Sequence, residues 1–233
     1  TSMNNILGDE EDAITMIDAH AINLGPNGIL FVNVALLTMI GWALWRAEKS
    51  ITTQSEMITL FLLGIFAISG RILLDPIPNI QPVTVIVLLA GIHFGAARSI
   101  ILATSIALIS NLYLGHGLWT IYQALGWSLI GVFGAMISSK IYSNNKLSVN
   151  PLMAVAAVSG FVFDWIVSIS ALHVLSPDIF FLYILNGIPF DLLHAAGNMF
   201  FVAWFAVPLS EIMTRHMAFK QPSVVDNFAK TRV

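Results

Sequence analysis

The sequence predicts an all-α integral membrane protein with seven transmembrane helices. Of its 233 residues, 57% are hydrophobic and only 10% are charged, whereas a soluble domain carries about 25% charged residues. The apolar residues form separate runs, and roughly 20 such residues make a helix long enough to cross a bilayer. The chain contains no cysteine, which excludes disulfides, thiolate metal sites and cysteine nucleophiles.

The apolar runs are separated by polar, charged or proline-containing turns. The third run would be only about 18 Å long as a helix, so alone it could be re-entrant, and within a bundle we interpret it as a short span. Near the end of the chain, Asn186–Pro189 is expected to break the helix and leave Ile179–Ile184 at the membrane interface. The predicted spans are Gly28–Trp45, Met57–Leu74, Val83–Phe94, Ala96–Leu114, Leu118–Ser138, Pro151–Leu175 and Phe190–Val207.

The distribution of Lys and Arg predicts the orientation of the chain. If the N-terminus is outside, nine of the ten basic residues fall on the inner side and only Arg71 falls on the outer side, as the positive-inside rule requires. We therefore predict a multi-pass protein of the cell membrane with a cytoplasmic C-terminus. The inner residues are Arg46, Lys49, Arg98, Lys140, Lys146, Arg215, Lys220, Lys230 and Arg232.

The stretch Gly70–Thr84, GRILLDPIPNIQPVT, separates two of the apolar runs. Each of its three prolines removes a backbone donor and fixes φ, so the segment cannot continue a helix. Polar, irregular backbone between membrane helices is typical of a cavity mouth. A rigid hairpin without a ligand explains the same residues, and both interpretations remain open.

Polar side chains lie within the spans at helical spacing. Asp164 is near the middle of its span, where a charged carboxylate costs about 2.5–3.5 kcal/mol on insertion scales, so it must face the bundle interior. Such residues can hydrogen-bond neighbouring helices or line a ligand pocket, and Trp127 and Trp119 can form an interface belt or stack on a flat ligand. The inward candidates are Asn111, His116, Trp119, Gln123, Trp127, Asp164, Asp191, His194 and Asn198.

Several activities are excluded by missing motifs. No lysine lies inside a span, which excludes a retinal Schiff base, and the sequence has no phosphate-binding P-loop or known catalytic signature. His194 beside Asp191 does not supply the ligand set of a zinc site. We predict no catalytic residue, metal, cofactor or nucleic-acid partner. An intramembrane enzyme using Asp164, Asp191 and His194 stays an alternative without a recognisable mechanism.

Three motifs resemble the substrate-binding S components of energy-coupling factor (ECF) vitamin transporters. The first runs from Arg71 through PIPNIQPVT, at Pro76–Thr84, to Leu88–Gly91 and Phe94–Gly95. The others are NLYLGHGLWTIYQ at Asn111–Gln123 and GIPFDLLHAAGN at Gly187–Asn198. The resemblance covers about Met57 to Glu211, and the subgroup that it most resembles takes cobalamin or its precursors.

This resemblance implies a six-helix core at residues 55–212 that binds a vitamin-like small molecule. It also implies a membrane coupling subunit and ATPase subunits as partners. Three segments lie outside this core. They are an acidic external segment at residues 1–27, an extra transmembrane helix with a cytoplasmic linker at residues 28–54, and a cytoplasmic tail at residues 213–233. The implied pocket adds Asn79 and Gln81 to the inward candidates.

The expected docking face for the coupling subunit is Gly64, Ala67 and Gly70 on the first core helix. Their spacing of three departs from the family's usual A-x-x-x-A motif, and the extra N-terminal helix is a second departure. Both departures favour an alternative function. In that alternative, the chain is an accessory subunit of another membrane complex that keeps the fold but binds no ligand.

Overall fold

The computed structural model describes residues 25–48 and 54–218, which form seven α-helices, a two-stranded hairpin and one 3-10 helix. The predicted acidic segment, the linker at residues 49–53 and most of the cytoplasmic tail lie outside these residues. The helices are α1 Gly25–Glu48, α2 Gln54–Leu73, α3 Val83–Phe94, α4 Ala96–Leu114, α5 Trp119–Ile141, α6 Val149–Ser168 and α7 Pro177–Ala218.

The all-α membrane class predicted from composition is confirmed. Within the described part of the chain, six helices are long and apolar enough to cross a membrane, and only α3 is shorter. Many large apolar side chains on these helices are exposed, including Phe61, Leu112 and Trp204. In water such a surface would be unfavourable, whereas in a bilayer it contacts lipid. The chain is therefore a multi-pass membrane protein.

The short helix α3 is the centre of the bundle. All of its residues from Val83 to Phe94 are buried, and it packs against α2, α4, α5, α6 and α7. Pro82 precedes its first residue, and Gly95, with φ of 84°, ends it. Proline fits a helix start because the missing N–H would have no partner there, and glycine adopts the left-handed φ without strain. The predicted bounds of this span are confirmed.

Glycines allow α3 and α5 to approach closely. A Cβ atom on Gly91 would lie 2.0 Å from the carbonyl oxygen of Gly131, and one on Gly134 would lie 2.5 Å from that of Leu88. Membrane helices use such small residues to bring their backbones into contact, because lipid supplies little hydrophobic force between helices. This contact fixes α5, and therefore Gln123 and Trp127, against α3.

The predicted break at Asn186–Pro189 is wrong, because α7 continues from Pro177 to Ala218 with Pro189 and Pro208 inside it. Ile179–Ile184 is the first part of this helix rather than a separate segment. A proline removes only one backbone hydrogen bond, whereas an open loop in lipid would leave several groups without partners. The continuous helix places Asp191 and His194 beside α6, with which α7 packs extensively.

Two shorter elements complete the fold. The connection between α5 and α6 contains strands β1 Tyr142–Ser143 and β2 Lys146–Leu147. Asn144 and Asn145, both with positive φ, form the two-residue turn that such hairpins prefer. After α6, the 3-10 helix Ile169–His173 continues towards α7.

Candidate functional site

A small polar cavity lies inside the bundle, next to the start of α3. Its volume is about 90 Å³. Five helices and the loop between α2 and α3 build it, and most of its lining side chains are polar. They are Arg71 from α2, Asn79 and Gln81 from the loop, Val83 and Thr84 from α3, Gln123 and Trp127 from α5, Phe163 from α6 and His194 from α7.

The loop reaches this cavity because its backbone turns sharply. Leu74 to Ile80 form hydrogen-bonded turns, with Ile77 N donating to Leu74 O at 2.9 Å. Asn79 adopts φ of 58°, the left-handed conformation that asparagine tolerates better than most residues. Its side-chain amide donates to Asp164 Oδ2 at 3.3 Å and to the carbonyl oxygen of Phe190 at 3.2 Å. The loop is thereby tied to α6 and α7.

Arg71 is buried, with 6% of its surface exposed. It lies in the last turn of α2, within the predicted span Met57–Leu74, and its side chain faces the bundle because Leu63, Ala67 and Arg71 share the buried face of this helix. The guanidinium donates to Gln81 Oε1 at 3.1 Å, to Asn111 Oδ1 at 2.7 Å, to Gln123 Oε1 at 3.3 Å and to Ser110 Oγ.

Trp127 forms the aromatic wall of the cavity. The Arg71 guanidinium carbon lies 5.1 Å from the centre of the indole, within cation–π distance. Phe163 stacks on the same indole with ring centres 4.5 Å apart. Trp127 Nε1 donates to Thr84 Oγ1 at 3.2 Å. The indole therefore joins α2, α3, α5 and α6 at one point.

His194 forms the opposite wall. Its Nε2 is 3.0 Å from Thr84 Oγ1, and its Nδ1 is 3.0 Å from the Asp164 carboxylate. The cavity thus has a guanidinium on one side and a histidine–carboxylate pair on the other, with uncharged amides between them. Such an arrangement can bind a small polar molecule.

The other predicted residues lie around this cavity rather than on its surface. Asn111 donates to Thr120 Oγ1 at 2.8 Å and to Gln123 Oε1 at 2.7 Å, which orients Gln123, a cavity-lining partner of Arg71. Asp191 accepts from Trp165 Nε1 at 3.0 Å, and Asn198 donates to the Ala156 carbonyl at 3.0 Å. These two residues link α6 to α7.

His116 lies in the turn between α4 and α5, and Trp119 is the first residue of α5; neither of them lines the cavity. His116 Nδ1 is 3.2 Å from Thr120 Oγ1, and partial burial lowers the pKa of this histidine. Trp119 is buried with its ring against Gly117. The structure therefore brings five of the predicted residues together in the cavity lining: Asn79, Gln81, Gln123, Trp127 and His194. Asn111 and Asp164 hydrogen-bond to lining residues. The remaining candidates do not line the cavity: His116, Trp119, Asp191 and Asn198.

Four lining residues were not predicted from the sequence: Arg71, Val83, Thr84 and Phe163. Leu63, Ala67 and Arg71 follow one another at intervals of four residues, which places them on one helix face. This spacing was the available indication that Arg71 faces the bundle. Thr84 and Phe163 gave no such signal in an apolar run. Among the described residues, no group of three or more His, Asp or Glu side chains is placed to hold a metal ion.

The three predicted docking residues on α2 have different surroundings. Ala67 is fully buried in the chain's own core, and Gly70 packs against the Pro82 ring. Gly64 lines a groove of about 1000 Å³ between α1, α2 and α4. That groove is the larger space, but mostly apolar side chains line it and none of them contributes to the polar cavity. In a bilayer, lipid covers such a surface, so we place the candidate site in the smaller cavity.

Comparisons with known proteins do not assign the chain to a family. No family, no curated protein and no solved structure matches it.

Proposed function

We propose that this chain is the substrate-capturing subunit of an ECF-type importer for a vitamin-like small molecule. The observation that carries the proposal is the polar cavity with Arg71 and His194 on its walls, built inside an otherwise apolar bundle. Charged groups within a membrane protein are costly and mark functional sites by default. The motifs that resemble S components include Asn79, Gln81, Gln123 and His194, all of which line the cavity.

In this proposal the chain binds its ligand and performs no catalysis. The sequence has no phosphate-binding loop, so energy for import comes from ATPase subunits that a membrane coupling subunit links to this chain. Typical small-molecule sites have volumes of about 300–1,000 Å³. The cavity of about 90 Å³ is well below this range and has room for only a few water-sized groups. A vitamin-sized ligand therefore requires the loop Leu74–Pro82 to move away from α6 and α7.

An accessory subunit that has lost its ligand is the second candidate. The small volume favours it, as do the hydrogen bonds that Arg71 and His194 make within the chain. In that case the polar network would hold the bundle together, which is a common role of intramembrane hydrogen bonds.

Purification from the native membrane tests both candidates. The importer proposal expects a vitamin-sized molecule and ATPase subunits to copurify, and uptake into liposomes to require those subunits and ATP. The variant His194→Ala should weaken ligand binding while the protein stays folded, whereas His173→Ala, an exposed histidine on the 3-10 helix, should not. A stable complex with other membrane proteins and no small molecule would favour the accessory role. Concentrative uptake by the chain alone would contradict both.

A further inference from the structure

Arg71 carries a buried positive charge, and its hydrogen-bond partners among the described residues are all uncharged. Its hydrogen-bond acceptors are two amide oxygens of glutamine, one of asparagine and a serine hydroxyl. Among the side chains that the structure describes, no carboxylate lies within 4.0 Å of the guanidinium, and Asp75, which acts on it electrostatically, lies further away. Asp164 instead pairs with His194, and Glu56 with Arg98. Buried charges in proteins are normally paired, because removing an ion from water is costly.

The guanidinium also keeps capacity for another acceptor. Arginine has five N–H donors, and the four hydrogen bonds of Arg71 use one on Nε, two on NH1 and one on NH2. The bonds to Gln81 and Gln123, which line the cavity, are 3.1 and 3.3 Å long, whereas the bond to Asn111 behind them is 2.7 Å. The weaker contacts are therefore the ones that a ligand in the cavity would replace.

We infer that Arg71 binds the carboxylate group of a small organic acid, an inference that rests on the proposed ligand-binding function. A guanidinium matches a carboxylate through two parallel N–H···O bonds. One such group would neutralise Arg71 and take the place of the two glutamine oxygens. A carboxylate fits better than a phosphate, because the Asp164 carboxylate behind Asn79 and His194 opposes a second negative charge.

Matched pairs of small molecules test this inference on the intact chain in detergent. The pairs are nicotinate with nicotinamide, pantothenate with pantothenol, and biotin with biotinamide, compared by thermal unfolding and by titration. At least one acid should bind about tenfold or more tightly than its neutral partner, because hydrogen bonds to charged groups are the stronger ones. Inorganic phosphate should not stabilise the protein. Equal or weaker binding of every acid, or no binding of any acid, would overturn the inference.

Variants of Arg71 assign the effect to this side chain. Arg71→Gln should abolish the preference for the acid, and Arg71→Lys, which keeps the charge without the planar fork, should retain part of it. Arg46→Gln, at an exposed arginine near the end of α1, should leave the preference unchanged. A preference for the acid that survives in folded Arg71→Gln would also overturn the inference.

The proposed function and this inference fail in different ways. If a neutral vitamin copurifies with the chain and its ATPase subunits, the importer proposal stands and the carboxylate site is wrong. If the chain prefers the acids through Arg71 but no ATPase subunits associate with it, the carboxylate site stands and the importer proposal is wrong.

Discussion

His194 and Asp164 lie on α7 and α6, and Nδ1 of the imidazole is 3.0 Å from both oxygens of the carboxylate. The other ring nitrogen, Nε2, faces the hydroxyl of Thr84, which itself accepts a hydrogen bond from Trp127. Because the indole N–H can only donate, the Thr84 proton is available to Nε2, and Nδ1 then carries the proton that bonds Asp164. This series of hydrogen bonds thus favours the His194 tautomer that carries its proton on Nδ1.

Asp164→Asn is expected to destabilise the protein. Asp164 accepts hydrogen bonds from both His194 and Asn79, whereas an asparagine amide would direct its own donors at one of these groups. The loss of a buried charged acceptor costs about 1–3 kcal/mol. The measurement is the midpoint of thermal unfolding in detergent. Asp178→Asn, at an exposed position in the first turn of α7, is the control, and an unchanged midpoint for Asp164→Asn would contradict the prediction.

Gly91→Ala is expected to destabilise the contact between α3 and α5. The new methyl group would lie 2.0 Å from the Gly131 carbonyl oxygen, and overpacking of this kind costs about 1–3 kcal/mol or more. Gly41→Ala on α1 is the matched control, because no atom lies within 4 Å of the added carbon. Replacing a glycine by alanine inside a helix otherwise stabilises the folded protein by about 0.5–1 kcal/mol. Equal unfolding midpoints for the two variants would show that the helices can separate without cost.

The predicted orientation can be tested with single cysteines, since the natural chain has none. Ser143 in the hairpin and Ser176 before α7 are both exposed and lie at opposite ends of α6. In intact cells, a membrane-impermeant maleimide should label Ser176→Cys, and Ser143→Cys should react only after permeabilisation. The reverse pattern would place the N-terminus inside.

The stability of the turn between α4 and α5 should depend on pH through His116. Burial lowers the pKa of this histidine below its usual value of about 6.5, so the unfolded chain binds a proton more readily than the folded one. The stability that the neutral His116 imidazole contributes is therefore fully present above about pH 6.5. It is lost as the pH falls towards the pKa that His116 has in the folded protein.

His116→Gln should reduce this acid sensitivity. Unfolding midpoints measured between pH 8 and pH 5 should fall less in the variant than in the natural protein. His173→Gln is the control, because His173 is exposed. Parallel curves for His116→Gln and the natural protein would contradict the assignment.

The candidate site was only partly predictable from the sequence. Gln123 and His194 were recognisable because polar residues are rare and costly in membrane segments, whereas Asn79 and Gln81, in the loop before α3, were implied by the family resemblance. Arg71 was placed on the outer side but not in the pocket, because its partners Asn111 and Gln123 are 40 and 52 residues away in the sequence. The spacing of Leu63, Ala67 and Arg71 indicates a shared helix face, but it does not show which distant residues cover the end of α2.

The sequence by itself determined the class of protein and the span of α3. Lipid offers no hydrogen bonds, so long apolar runs must form helices, and Pro82 and Gly95 limit α3 through local backbone geometry. Only the tertiary structure decided that α7 passes through Pro189 and that Arg71 meets Trp127. Both outcomes depend on packing between helices, whose energy comes from residues far apart in the chain and is not encoded in local periodicity.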